Sequence, residues 1–167
     1  IRDSCAGGGG KSLAVAARTG VKIFAHDINL GRMAEIKTRA ARGGHKIEVI
    51  PPMDLDPKTL FDTVICDLPC TGSGAWRRSP EGKWMLTELD IAKYVNLQRN
   101  ILTKSAGHLA PGGVLALITC SIFNAENQTQ KDYVSEKFPN LSILTEKQYL
   151  PSPWNDGLYL VVYKANY

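Results

Sequence analysis

An open, mostly parallel α/β sheet with helices on both faces is the fold this sequence predicts, on three observations. Strand-like and helix-like segments alternate along the chain. A glycine-rich turn, Asp3-Ser4-Cys5-Ala6-Gly7-Gly8-Gly9-Gly10-Lys11, joins the first strand-like residues to a helical stretch. Acids close the first four strands in turn: Asp3, Asp27, Asp54 and Asp67. In such a sheet the carboxyl ends of the strands border the ligand crevice, so these turns should share one edge.

Residues 1–3 read as the end of a strand, and further sequence is therefore expected upstream. A strand over 21–25 leads through Asp27 to a helix over 30–42, which Gly43-Gly44 stops as glycine does at a C-terminal cap. A short strand over 47–50 is closed by Pro51-Pro52, and the next strand covers 61–66. After a loop over 67–84, Thr87 and Asp90 have capping-box spacing. They open a helix whose apolar positions Ile91, Val95, Ile101, Leu102, Ala106 and Leu109 recur at helical period. Pro111-Gly112-Gly113 is expected to end it. A buried strand over 114–118, a polar-faced helix over 124–137 and strands over 141–144 and 158–163 complete the chain. With no helix between them, the last two strands predict a hairpin-like pair with one strand antiparallel.

The 167 residues suit one domain, 1–167, whose core needs no disulfide staple. With 44% hydrophobic and 22% charged residues the chain is globular rather than disordered. No apolar run is long enough for a bilayer and no signal-like segment opens the chain, so a cytoplasmic protein without a membrane partner is expected. A net charge of +4 tolerates a phosphate-rich partner without requiring one. Four cysteines without a Cys-x-x-Cys pair exclude a secreted disulfide scaffold, and scattered His26, His45 and His108 give no zinc spacing. No metal is expected, and the thiols suit a reducing compartment.

Four consecutive glycines let the backbone approach a ligand closely, and the helix beginning near Lys11 would aim its free N–H groups at the same space. Gly10-Lys11-Ser12 is preceded at the wrong spacing by Ser4 for a nucleoside-triphosphate loop. Asp27, seventeen residues beyond Gly10, fits either a ribose-binding acid or an N-cap. Asp54 fits either an adenine contact or a cap for the turn before Pro57. Four acids on one edge suit a cationic nucleoside such as S-adenosylmethionine. Cys70 and Cys120 each follow a buried strand in a polar turn, Asp67-Leu68-Pro69-Cys70-Thr71-Gly72 and Thr119-Cys120-Ser121. Cys66, inside an apolar strand, reads as an inert core thiol. Trp84 and Trp154 read as packing residues.

Together these motifs, with Arg77-Arg78-Ser79-Pro80, Glu126-Asn127 and Asp156-Gly157-Leu158-Tyr159, resemble the RNA cytosine-5 methyltransferases of the Sun (Fmu) type. That family includes bacterial ribosomal RNA methyltransferases. One departure is Gly7-Gly8, where the family usually has Ala-Pro. The resemblance implies a class I S-adenosylmethionine-dependent methyltransferase (Rossmann-like) fold with a seven-stranded, mostly parallel sheet. It implies methyl transfer from S-adenosylmethionine to carbon 5 of cytosine in RNA, ribosomal RNA foremost, by a monomer. Cys120 would be the attacking thiolate, Cys70 the group assisting proton removal and product release, and Asp67 the acid beside the cytosine N3. The cofactor would meet Cys5, Ala6, Gly7, Gly8, Gly9, Gly10, Lys11, Asp27, Asp54 and Asp67, with Lys11 at its carboxylate or ordering the turn. The Pro69 backbone would meet the exocyclic amine; Arg77 and Arg78, beside Trp76, would meet RNA. Alternatives are a non-catalytic subunit that binds S-adenosylmethionine and RNA, or a transfer RNA substrate. A nicotinamide dehydrogenase on a similar sheet would not need the paired thiols.

Overall fold

The computed structural model describes residues 1–51 and 54–167, so Pro52 lies outside the described residues. The first half of the chain gives β1 (Arg2–Asp3), α1 (Gly10–Thr19), β2 (Ile23–Ala25), α2 (Ile36–Arg42) and β3 (Ile47–Val49). The second gives β4 (Phe61–Asp67), α3 (Glu81–Met85), α4 (Glu88–Ala106), β5 (Leu109–Thr119), α5 (Gln128–Lys137), β6 (Leu141–Tyr149) and β7 (Leu158–Ala165).

The strands form one seven-stranded sheet in the order β3-β2-β1-β4-β5-β7-β6. All neighbours pair in parallel except β7, which runs antiparallel to both β5 and β6, as the hairpin-like ending predicts. The order reverses between β1 and β4. Because parallel crossovers are right-handed, that reversal puts the two sets of helices on opposite faces and opens a crevice at the strand ends. The main core packs Val64, Cys66, Leu115, Leu117, Tyr159, Val161 and Tyr163 with Leu102 of α4 and Val134 of α5. A smaller cluster of Ala6, Ala25, Met33 and Ile36 lies under the glycine turn.

Some boundaries differ from the sequence expectation. The helix over 30–42 is split into a 3-10 turn, Leu30–Met33, and α2. Gly31 sits in that turn, and Ala34 N–H bonds back to its carbonyl three residues earlier. A similar split gives a 3-10 turn at Asn124–Glu126 before α5. Thr87 and Asp90 do form the capping box of α4. That helix ends at Ala106, however, and Pro111-Gly112-Gly113 lies inside β5. There the pairing with β4 jumps from Phe61↔Leu109 to Thr63↔Val114, a bulge turned by Gly112 at φ +68°. Trp84 and Trp154 are not packing residues but are 83% and 91% exposed. Trp84 stands on the five-residue α3, which buries none of its residues.

Candidate active site

The strand-order reversal brings the carboxyl ends of β1, β4 and β5 side by side, with Asp67 in register with Ile118. Cys70 lies three residues beyond β4 and Cys120 immediately follows β5. Their sulfurs are 3.3 Å apart, and both are free thiols, partly buried.

Backbone and hydroxyl contacts lock the two turns together. Gly74 N–H donates to the Cys120 carbonyl at 2.9 Å, and Gly157 N–H donates to the Gly74 carbonyl at 2.8 Å. Ser73 Oγ lies 3.0 Å from Ser121 Oγ and accepts Ile122 N–H at 2.9 Å. Asn127 accepts from Thr119 Oγ1 at 2.6 Å and donates to the Ser121 carbonyl at 2.9 Å. A Cβ on Gly74 would stand 2.8 Å from the Cys120 carbonyl oxygen and 2.9 Å from Gly157 Cα, backbone atoms that a side-chain rotation cannot move away. Gly74→Ala is therefore expected to cost about 1–3 kcal/mol by overpacking and to displace Cys120, as a lowered thermal midpoint with slower Cys120 alkylation would show.

The pair is electrically unequal. The hydrogen bond from Cys70 brings the Cys120 thiol down to about 7, against the opposing effect of burial; nearby Lys11 lowers it further and Asp67 opposes. Cys70 is pushed well above the ordinary thiol range, because the hydrogen bond it donates to Cys120 holds its proton in place and because it is buried. Burial pushes Cys66 up to about 11 and Cys5 higher still, so both are poor nucleophiles at neutral pH. A lowered thiol pKa means that thiolate persists at pH values where free cysteine is protonated. The rate of Cys120 alkylation should thus rise with pH through about 7, rather than near 8.5 as for a free thiol. Iodoacetamide labelling across pH, read by peptide mass, checks this.

The glycine turn forms the other wall. Gly7 and Gly9 take φ of +51° and +80°, and a Cβ on Gly9 would meet Ile36 Cγ1 at 2.8 Å. Gly10 and Lys11 begin α1, whose first-turn N–H groups have no intrahelical acceptor. Asp3 is fully buried, accepts from Ser12 Oγ at 2.6 Å, and is raised by burial to about 6. Asp27 is not an N-cap of the following helical turn, which begins at Asn29 without a side-chain cap. Instead its two oxygens accept Gly7 N–H and Asn29 N–H, each at 2.9 Å, with Arg32 at 3.7 Å. Arg32 lies against Gly7, where a Cβ would come within 2.9 Å of its guanidinium, and Arg39 donates to the Gly8 carbonyl. These arginines use the space that Gly7-Gly8 leaves open.

Several expected residues take partners that their sequence positions do not reveal. Lys11 reaches across to Asp67, Nζ to Oδ2 2.5 Å, joining the glycine turn to the thiol side. Asp54 is exposed in the turn after β3; among the described residues no hydrogen bond or ion pair ties its side chain to the other acids. The Pro69 carbonyl accepts from Gln98 Nε2 at 3.0 Å. Arg78 Nε and Arg77 Nη2 donate to Asp156 at 2.7 and 3.4 Å, on an exposed rim. Trp76 packs edge-on against Phe123, centroids 5.8 Å apart. The sequence reading missed Gln98 and Gln130 in the buried support of the Cys70 turn, and gave no role to Glu126 although the Glu126-Asn127 motif includes it. Gln98 carried a signal of its own, a polar residue on the inward face of α4. Among the described residues no cluster could hold a metal ion, and no helix is long and apolar enough to cross a membrane.

A glycine turn feeding a helix N-terminus, an acid bracing that turn after β2, and a single antiparallel strand beside β5 together define a class I, Rossmann-like methyltransferase fold. A family model described as "16S rRNA methyltransferase RsmB/F" matches residues 1–155, and the chain belongs to that family. Among curated relatives, "Ribosomal RNA small subunit methyltransferase B" of Klebsiella pneumoniae strain 342 is 37% identical over 175 residues, covering 95% of this chain and 40% of the relative. The protein of the same name in Shewanella oneidensis is 35% identical over 136 residues, 78% of this chain and 32% of its own length. The chain thus spans about a third to two fifths of the length of these relatives. Of solved structures, "Crystal Structure of PH0851" superposes with a TM-score of 0.88 at 27% identity, over 97% of this chain and 41% of that one. NSun6 from Pyrococcus horikoshii with SFG shares the fold, with a TM-score of 0.87 at 19% identity over 100% of this chain and 48% of that one.

Proposed function

We propose that this chain carries the catalytic site of an S-adenosylmethionine-dependent RNA cytosine-5 methyltransferase acting on small-subunit ribosomal RNA. The observation that carries the reading is the thiol pair, 3.3 Å apart at adjoining strand ends, beside the Lys11–Asp67 bridge and the glycine turn. Family membership and the names of the curated relatives favour ribosomal RNA over transfer RNA. An intact, unequal thiol pair has no use in a subunit that only binds.

The turn fits the cofactor. Gly7 to Gly10 bring no side chains of their own, Gly10 at the start of α1 faces open space, the first N–H groups of α1 suit a carboxylate, and Asp27 stands where ribose hydroxyls are met. Cys5 and Ala6 belong to that turn, and Asp54, exposed after β3, would meet the adenine. Bound there, S-adenosylmethionine supplies an electrophilic methyl group on a sulfonium.

Cytosine carbon 5 is too weak a nucleophile to take that methyl unaided. The Cys120 thiolate adds to carbon 6, and the displaced π electrons enrich carbon 5, which bonds to the methyl group as the C–S bond of the donor breaks. Once Cys120 is a thioether it no longer holds the Cys70 proton, and Cys70 can release it to solvent. Cys70 thiolate then takes the carbon-5 proton; the C–H electrons restore the ring double bond and expel Cys120 as thiolate. The Cys70 S–H so formed hydrogen-bonds the departing sulfur, which regenerates the starting pair. Net, one proton leaves to solvent per methyl transferred. As electrons move into the ring, N3 would take a proton from Asp67, released by Lys11 and protonated in the complex, and return it when Cys120 leaves; the Pro69 carbonyl would accept from the exocyclic amine. Arg77 and Arg78 would meet RNA on the rim. The target base must leave its stack to reach this edge.

Incubation of the protein with methyl-labelled S-adenosylmethionine and small-subunit ribosomal RNA, followed by nucleoside analysis, should yield labelled 5-methylcytidine. Label in another nucleoside, or in transfer RNA alone, would contradict the proposal.

A further inference from the structure

We propose that Glu126 is a positioning residue that fixes the Cys70 sulfur against Cys120 by clamping Thr71 from the buried side of the turn. Glu126 is fully buried in the 3-10 turn that follows Cys120. Its carboxylate accepts Thr71 N–H at 2.9 Å, Thr71 Oγ1–H at 2.6 Å and Gln98 Nε2 at 3.0 Å. The same Gln98 nitrogen donates to the Pro69 carbonyl at 3.0 Å. Both chain neighbours of Cys70 are therefore held by one Glu–Gln unit, while the Cys70 sulfur itself meets its partner sulfur and the Gly72 and Cys120 backbone. Gln98 is fixed in turn by Gln130, whose Nε2 donates to Gln98 Oε1 at 2.7 Å and to the Val95 carbonyl at 2.9 Å.

No cation pairs with Glu126 among the described residues, and its solvation comes from these three neutral donors. A buried carboxylate is costly unless its lone pairs are filled, so losing any of the three donors is penalised. Thr71 is thereby held in one place, and Cys70 with it. An apolar residue at 126 would fill the space but grip nothing.

Glu126→Gln tests the idea at constant size. The amide offers one acceptor oxygen in place of two: with that oxygen kept on Thr71 N–H and Gln98, its NH₂ faces Thr71 Oγ1, whose proton must turn away, so a bond to a carboxylate becomes a weaker neutral one and the clamp loosens. The first readout needs no RNA: the pH profile of Cys120 alkylation, where Cys70, Lys11 and Asp67 are the charged or titratable neighbours. Its midpoint should rise by about one pH unit as the Cys70 hydrogen bond lengthens, with the thermal midpoint within a few degrees of wild type. Thr71→Val, which removes the hydroxyl bond to Glu126 with the longer 3.4 Å contacts to Ser121 and Ser73 but keeps the Thr71 N–H bond, should shift it in the same direction by less.

The second readout rests on the proposed reaction. With S-adenosylmethionine and ordinary RNA, Glu126→Gln should accumulate a covalent protein–RNA adduct several-fold over wild type, because a misplaced Cys70 slows release more than attack. A folded Glu126→Gln protein with an unchanged alkylation profile would overturn the inference. So would unfolding of both variants, which would make the role one of stability. A shifted profile in a protein whose wild type forms no adduct even on 5-azacytosine RNA would leave the positioning role standing and remove the proposed reaction.

Discussion

Cys120→Ala is expected to abolish methyl transfer, by on the order of 10⁴-fold or more, while leaving the affinity for S-adenosylmethionine within about twofold. No other thiol in the chain can take over. Cys70 stands 3.3 Å from the position the attacking sulfur must occupy and burial still opposes its ionisation, Cys66 is sealed in the core, and burial keeps Cys5 protonated. The loss should fall on turnover, because the sulfur bonds to the base only after substrate is in place. Calorimetry with S-adenosylmethionine and methylation kinetics on the same preparation separate the two. A variant retaining a tenth of wild-type turnover would show that the reaction does not pass through this sulfur.

Cys70→Ala is expected to do something different: to trap RNA on Cys120. Two effects oppose each other. Losing the Cys70 hydrogen bond lets the Cys120 thiol climb from about 7 toward its ordinary range, which lowers its thiolate fraction near pH 7.5 by about tenfold and slows attack. Losing the group that takes the carbon-5 proton and supports the departing sulfur slows release by about 10²–10⁴-fold, the usual contribution of a positioned proton acceptor. Release suffers more, so the adduct accumulates. Denaturing gels of the variant with ordinary RNA and S-adenosylmethionine should show a shifted band that wild type lacks. Raising the pH to 9 should speed its formation by restoring the Cys120 thiolate without restoring release.

The sheet was legible because its signals are local. Apolar runs such as Val114-Leu115-Ala116-Leu117-Ile118 appear as buried strands, and the Thr87/Asp90 capping box starts α4 as expected. The antiparallel β7 could be inferred from a missing helix. Helix ends were less legible. Pro111-Gly112-Gly113 is a helix stop by local chemistry, yet Gly107 had already ended α4 and the three residues turn a bulge against β4. That choice depends on pairing with a strand fifty residues away, which no local window contains.

The site divides in the same way. The thiol pair and the glycine turn were recognisable from residue type and strand-end position. What was not recognisable is who holds whom. Lys11 and Asp67 are 56 positions apart in sequence and 2.5 Å apart in space. Asp27 braces Gly7, and Asp156 takes Arg77 and Arg78, because tertiary approach put complementary groups together. Glu126 belongs to a motif of the resemblance but its sequence gives it no role, and Gln98 reads as an ordinary polar residue of a helix. Only their burial, and the absence of any charge partner among the described residues, marks them out.

The most direct test of the covalent pathway is to incubate the protein with S-adenosylmethionine and RNA containing 5-azacytosine, whose ring nitrogen at position 5 has no proton to lose, and to map the link by mass spectrometry. The account predicts a nucleotide bonded through carbon 6 to Cys120, carrying the transferred methyl group. A link at Cys70, or methylated RNA with no protein bond at all, would contradict it.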